Sequence, residues 1–350
     1  MDKFKLLTLV ILSVFAYQAP ALTIKAVGDT MLQSSGSHLP KNYFHNLHQE
    51  LSTADITFGN YEGTICKTSE VSWKCKKGKT CYAFKSDLSV IDQLLNVGFD
   101  VMSIANNHIY DYGEYCANQT RDNLEQAGIL AVGLRSTKKS SDESSTRIMD
   151  INGTKVGIVA FHYSNGWGRL ISIKEFDRAS KLIKSVKSKT DLVVVSFHGG
   201  DEGAKALNVG IGVENHYRSG ENRGNLRKFS RVAIDSGADL ILGNGPHVPR
   251  GMELYKNKLI AYSLSNFATP WGFNIRLPMN LGLILEVNLN EKTGDFEGGK
   301  IIPTVQSKNP ANIIVDPNLE TIKLIQKLTK QDFNSPLGIS DSGDLYIKGK

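Results

Sequence analysis

Apolar residues in this chain gather in short runs rich in Val and Ile, and most runs are followed by a longer stretch with helical spacing. The runs at 23–27, 56–58, 99–104, 129–132, 155–161, 192–197 and 239–242 read as strands. The stretches at 87–97, 114–127, 174–188 and 224–236 read as helices. Strand and helix in turn argue an α/β fold with largely parallel sheets. Two antiparallel features interrupt the alternation. Asn152-Gly153 divides the apolar runs within 147–161, the strongest short hairpin signal. Lys256-Asn257-Lys258 divides those within 252–264. Strands at 281–289 and 299–305 and a helix at 319–330 complete the pattern. No repeat and no low-complexity linker breaks it. One domain over 22–332 is expected, built from two packed sheets with outer helices. The Gly/Ser-rich end, 333–350, reads as a loosely held tail.

The first residues must be set apart from the fold. Lys3 and Lys5 precede an apolar run at 6–17, and Ala19-Pro20-Ala21 gives the small-x-small pattern of a cleavage site. This reads as a secretory signal peptide over 1–21, with an exported mature chain starting near Leu22. The apolar run is shorter than the roughly 20 residues that span a bilayer. The net charge of +6 keeps its sign without the leader, and a mild positive balance suits anionic substrates or polymers. No basic run is interleaved with aromatics, so nucleic acid is not an expected partner. Cys66, Cys75, Cys81 and Cys116 lie close together in sequence. An even number in an exported chain reads first as two disulfides. Cys75 and Cys81 bracket a short polar loop that they could close, which leaves Cys66 with Cys116. A zinc site is the rival reading, against which the close C-x-x-C pairs of structural zinc modules are missing.

Strand after strand ends in a residue able to bind a metal. Asp29 follows the first run, Glu62 the second, and Asn106, Asn107 and His108 the third. His198 follows the run at 192–197, and Asn244 and His247 the run at 239–242. The carboxyl ends of parallel strands face the ligand crevice in open α/β sheets, so these side chains are expected to converge. Gly28, Gly59, Gly199, Gly243 and Gly245 adjoin them and permit close backbone approach. Oxygen and imidazole ligands together suit Mn, Fe or Zn rather than Ca or Mg. A carboxylate such as Glu62 can bridge two ions. Arg218, Arg223 and Arg250 flank these motifs, and guanidinium forks match carboxylate and phosphate oxygens, which makes them candidates for gripping an anionic substrate.

GDTML at 28–32, GNYEGT at 59–64, SIANNHIYDYG at 103–113, FHGGDEG at 197–203, GNGPHV at 243–248 and LIAYSLSNF at 259–267 occur in this order. Together they resemble the CapA family of capsule and poly-γ-glutamate synthesis proteins, within the calcineurin-like metallophosphoesterase superfamily. The resemblance implies a four-layer α/β/β/α sandwich with two divalent ions at the strand ends. It implies Asp29 as a ligand of the first ion and Glu62 as the bridge. Asn107 and His198 would bind the second ion, and His247 one of the two. His108 would protonate the leaving group, with Asp111 orienting its ring and Glu202 supporting the ligands from behind. Three positions depart from the pattern. Met31 and Asn244 stand where such proteins usually carry histidine, and Ser265 where they carry glycine. An amide oxygen is a weaker ligand than imidazole, so Asn244 weakens one metal site.

The resemblance implies a bacterial, periplasmic or extracellular, metal-dependent hydrolase in capsule or poly-γ-glutamate production. It would act on an anionic polymer or phosphoester beside a membrane-bound synthesis complex. The alternative is a non-catalytic accessory that binds the polymer during synthesis and export.

Overall fold

The computed structural model describes residues 21–32, 42–69, 72, 75, 82–270, 275–308 and 311–349. Cys81 and the leader up to residue 20 lie outside them.

In chain order the first part supplies β1 (Ala21–Thr30), α1 (His48–Leu51), β2 (Ile56–Tyr61), β3 (Thr64–Ile65), β4 (Lys85–Ser86), α2 (Ser89–Asn96), β5 (Val101–Ser103), α3 (Gly113–Gln126) and β6 (Leu130–Val132). The middle supplies β7 (Arg147–Ile151), β8 (Thr154–His162), α4 (Phe176–Lys187), β9 (Leu192–His198), α5 (Leu226–Asp235), β10 (Leu240–Asn244), β11 (Met252–Tyr255) and β12 (Lys258–Ala261). The last part is β13 (Asn266–Ala268), β14 (Leu281–Asn290), β15 (Phe296–Lys308), β16 (Ala311–Val315), α6 (Glu320–Asp332), β17 (Leu337–Ile339) and β18 (Asp344–Ile347).

Two large sheets result. One runs β17-β18-β15-β14-β1-β2-β5-β6, with β13 beside β1 and β16 beside β15. The other runs β11-β12-β10-β9-β8-β7. The two-residue alternation of strands explains how they stack. On β9, Leu192 and Val194 join the core shared with the first sheet, while Val193, Val195 and Phe197 join a second core. Leu240 and Leu242 against Ile241 on β10, and Leu259 and Ala261 against Ile260 on β12, divide in the same way. The second core is completed by helix faces with i, i+3, i+4, i+7 spacing: Ala179, Leu182, Ile183 and Val186 of α4, and Phe229 and Ala233 of α5. Leu94 of α2 and Ala117 and Leu124 of α3 cover the first sheet. This is the expected α/β/β/α sandwich. Both hairpins form as expected, with Asn152, Lys256 and Asn257 in the left-handed region that such turns demand. No helix among the described residues is long and apolar enough to cross a membrane.

The end of the chain departs from expectation. Residues 333–349 are not a loose tail. Phe333 is buried and stacks on Tyr262 at 5.0 Å. β17 and β18 form a hairpin, and β18 pairs with β15, so the segment extends the first sheet. Gly338 belongs there for packing: a β-carbon at this position would stand 2.3 Å from the Tyr346 ring.

The parallel strands position the site. β1, β2 and β5 in one sheet and β8, β9 and β10 in the other run parallel within each sheet, and their carboxyl ends meet at one end of the sandwich.

Candidate metal centre

Asp29, near the end of β1, is fully buried. Its Oδ1 accepts from Asn60 Nδ2 at 2.8 Å, and its Oδ2 lies 2.8 Å from His247 Nδ1. The second contact joins the two sheets across their open end. Gly28 makes the approach possible, since a β-carbon there would stand 1.9 Å from the Ser265 carbonyl oxygen. Glu62 follows β2 directly, anchored by its N–H donating to the Thr30 carbonyl at 3.0 Å. Around Glu62 Oε1 stand three imidazole nitrogens: His108 Nε2 at 3.7 Å, His198 Nε2 at 3.8 Å and His247 Nε2 at 3.9 Å. These gaps are too long for hydrogen bonds.

The loop after β5 divides its labour. Asn106 is a builder: its Nδ2 donates to the Tyr61 carbonyl at 2.7 Å and its Oδ1 accepts from the His108 N–H at 3.1 Å. Asn107 follows, half-buried, next to His108. His108 Nδ1 lies 2.7 Å from Asp111 Oδ2, and its ring packs on Phe84 at 4.4 Å. Asp111 is held in turn by the Phe84 N–H at 2.8 Å. On β9 and β10, His198 and Asn244 stand in register. His247 sits at φ 62°, a left-handed conformation that costs a non-glycine residue about 1–2 kcal/mol. The Asp29 contact holds it there. Ser265 has φ 66°, which accounts for glycine being usual at its position.

The electrostatics follow from burial and crowding. Burial and then the Asp29 carboxylate hold Glu62 well above the usual carboxylate range. Burial, followed by the neighbouring His162, His247 and Arg223, pushes His198 well below the usual imidazole range. For His247 burial pulls downward, but Glu62, Asp29 and Glu202 outweigh it and hold the ring up at about 9. Glu202 shows the converse: burial raises it, and His247, Arg223 and His216 bring it down to about 2.

The residues fit a metal. Both Glu62 oxygens, both His198 ring nitrogens and Asn244 Oδ1 are buried with no hydrogen-bond partner among the described residues. Each such group left alone costs about 1–3 kcal/mol, and bound cations would satisfy the Glu62 oxygens, one His198 nitrogen and Asn244 Oδ1. Atoms of Asp29, Glu62 and His247 lie within 4.8 Å of one another, a span that one ion can bridge. Their nitrogen and oxygen donors suit Mn, Fe or Zn.

Of the expected site residues, Asp29, Glu62, His108, Asp111, His198 and His247 are linked in one buried cluster. Asn244 adjoins it through His198. The three arginines are placed differently. Arg250 is a correction: it is 1% exposed and wholly occupied within the protein. Its guanidinium donates to Glu214 at 2.9 Å, the Ala206 carbonyl at 2.6 Å and the Asp201 carbonyl at 3.3 Å. It braces the loop after β9. Arg250→Ala is therefore expected to lower stability by about 2 kcal/mol in denaturant unfolding. Weaker polyanion binding at unchanged stability would restore the gripping role. Arg223 is buried too, bonded to Glu202 at 2.6 Å and lying over the Tyr163 ring. Arg218 is exposed, over Tyr217. Cys66 and Cys116 are bonded to each other, and Cys75 is disulfide-bonded.

One residue escaped the sequence reading. His162 ends β8 next to His198 and is buried. The signal was present, since it follows an apolar run just as His198 does.

Fold and site together define a protein of metallophosphoesterase architecture. The chain belongs to the family described as bacterial capsule synthesis protein PGA_cap, which matches residues 23–270 and so takes in every residue of the cluster. Capsule biosynthesis protein CapA of Bacillus anthracis is 25% identical over 270 residues, covering 72% of this chain and 61% of that protein. This chain thus spans about three fifths of that relative's length. PGA biosynthesis protein CapA of Bacillus subtilis is 25% identical over 330 residues, covering 90% and 79%. Among solved structures, a phosphatase from Mycoplasma pneumoniae superposes with a TM-score of 0.50 at 13% identity, covering 87% of this chain and 97% of that one. A putative 5'-nucleotidase from Staphylococcus aureus gives 0.50 at 14%, covering 89% and 58%. These likenesses show the fold.

Proposed function

We propose that the protein is an exported metal-dependent hydrolase of the bacterial cell envelope. It cleaves a phosphoester, or a related ester or amide bond, in an anionic capsule-type polymer or its precursor. The observation that carries this is Glu62, a buried carboxylate that receives no hydrogen bond among the described residues and is ringed by three imidazoles at 3.7–3.9 Å. Asp29, Glu62 and His247 would hold one divalent ion, and Glu62, Asn107, His198 and Asn244 a second. Bound ions supply Lewis acidity toward the oxygens of the ester.

The chain's own groups do the rest. Asp111 fixes the His108 ring through Nδ1, so that Nε2 faces the cluster. His108 gives its Nε2 proton to the departing oxygen, and the imidazolium stage is stabilised by Asp111. Phe84 against the ring face excludes water from one side. The polymer substrate is inferred from relatives named for capsule and PGA biosynthesis, and a membrane-bound synthesis complex is a further proposal. The disulfide supports an oxidising compartment, periplasmic or extracellular.

Hydrolysis of p-nitrophenyl phosphate and of poly-γ-glutamate, assayed with added Mn²⁺, tests the reading. Turnover is expected, and His108→Ala should reduce it by about a hundredfold. Asn244 favours a second reading, a polymer-binding accessory. A Mycobacterium tuberculosis relative, 25% identical over 229 residues, is itself named a probable polyglutamine synthesis accessory protein. Polymer binding without turnover by the wild type would select it.

A further inference from the structure

β8, β9 and β10 are neighbours in one sheet, and their last residues form a row. His162 is in register with His198, and His198 with Asn244. Residues in register on adjacent parallel strands project to the same face, so the three side chains stand side by side. They are 2%, 1% and 1% exposed. Each carries an atom without a hydrogen-bond partner among the described residues: His162 Nε2, both ring nitrogens of His198, and Asn244 Oδ1. Buried polar groups are mostly hydrogen-bonded. Three consecutive strands each leave one here, and all are metal-donor types.

His162 is also fixed in place. Ser164 surrounds its Nδ1, with the carbonyl at 3.1 Å, the hydroxyl at 3.1 Å and the amide at 3.2 Å. The tautomer that gives its Nδ1 proton to the Ser164 carbonyl keeps the Nε2 lone pair for a metal, the other accepts from the Ser164 amide at Nδ1, and a bound cation selects the first. The ring is wedged between Tyr163 at 4.0 Å and His198 at 5.7 Å, so it has little room to turn away.

We propose that His162 is a nitrogen ligand of the second cation, supplying from the strand beside His198 the imidazole that Asn244 lacks on the other side. The assignment rests on the metal centre proposed above. It adds a donor that neither the motifs nor the Asp29–Glu62–His247 grouping contains, and it makes the second site a nitrogen-richer one.

The test is Mn²⁺ uptake by the full mature protein, measured by calorimetry and by EPR of the bound ion. His162→Phe keeps the ring volume beside Tyr163 and His198, and His162→Asn keeps a hydrogen-bonding group beside Ser164. The wild type is expected to take up two ions. Both variants should retain the first, lose more than about tenfold in affinity for the second, and show one fewer nitrogen coupling. Their melting temperatures in EDTA should match the wild type, which separates ligand loss from misfolding. Unchanged affinity for the second ion in either variant overturns the assignment, as does equal loss of both ions. A wild type that takes up no ion overturns the metal centre itself.

Discussion

Glu62→Gln is expected to abolish stabilisation by metal while leaving the metal-free protein as stable as the wild type, or more so. The carboxyl is fully buried between Asp29 and three imidazoles, with its oxygens undonated among the described residues. Burial and then Asp29 raise its pKa, which favours the neutral form more than in an exposed glutamate, and glutamine has the shape and charge of that form. Removing it therefore takes little from the empty fold. With a cation the balance reverses, since the shared anionic oxygen is gone. Saturation at a hundred times the dissociation constant should stabilise the wild type by about 2.7 kcal/mol. The variant should gain nothing at the same concentration, a loss of more than about a hundredfold in affinity.

The sign of the pH dependence follows from the same residues. A raised pKa means that the site holds a proton where an exposed glutamate has lost its own, and an incoming ion must displace it. His247, held up at about 9, holds another below that pH. Uptake should thus weaken as pH falls and release protons into the buffer. Thermal melts with Mn²⁺ and EDTA, repeated across pH, check both parts. An undiminished metal shift in Glu62→Gln, or collapse of its metal-free form, would remove Glu62 from the centre.

What could be read from the sequence, and what could not, divides along a physical line. Parallel strands covered on both faces are spelled as continuous apolar runs, and 192–197 announced β9 almost to the residue. A ligand at a strand's carboxyl end is local in sequence, so Asp29, Glu62, His198 and His247 were visible before any coordinates. Arg250 was not, because its fate depends on Ala206, Asp201 and Glu214, which reach it only when the loop after β9 folds back. Asn106 and Asn107 are adjacent and chemically identical, and only the hydrogen bonds to Tyr61 and His108 mark Asn106 as the builder. The closing hairpin was hidden for another reason. Its strands are short, its glycines read as loop, and its stability comes from distant partners, β15 and Tyr262. His162 also follows its run directly, but Tyr163 and Ser164 come next, without the glycine and further ligand types that mark the strand ends at 28–29, 198–201 and 243–247.

Replacing both Cys66 and Cys116 with alanine is expected to lower stability by about 4 kcal/mol, from the closure entropy of the 50-residue separation that the bond spans. The loss should appear in denaturant unfolding, and reduction of the wild type, which also breaks the Cys75 disulfide, should lower stability at least as far. The bond's position makes the effect local as well as global. Cys66 lies just beyond Glu62, and Cys116 just beyond Asp111, so the link ties the segment that follows the carboxylate to the helix that follows the His108 loop. Side chains of α3 reinforce it: Thr120 Oγ1 accepts from the Ile65 N–H at 2.8 Å, and Asn123 Nδ2 donates to the Ile65 carbonyl at 3.0 Å. These bonds keep β3 near α3 once the sulfurs are gone, but at lower local stability. Glu62 and His108 then sample wider separations, and an ion that needs Glu62 at a fixed position binds less tightly. The variant should therefore bind Mn²⁺ more weakly than the wild type, and saturating Mn²⁺ should recover part of the lost stability. A variant with reduced stability but wild-type affinity would confine the disulfide to the fold. One that unfolds within about 1 kcal/mol of the wild type would show that the hydrogen bonds of Thr120 and Asn123 suffice without it.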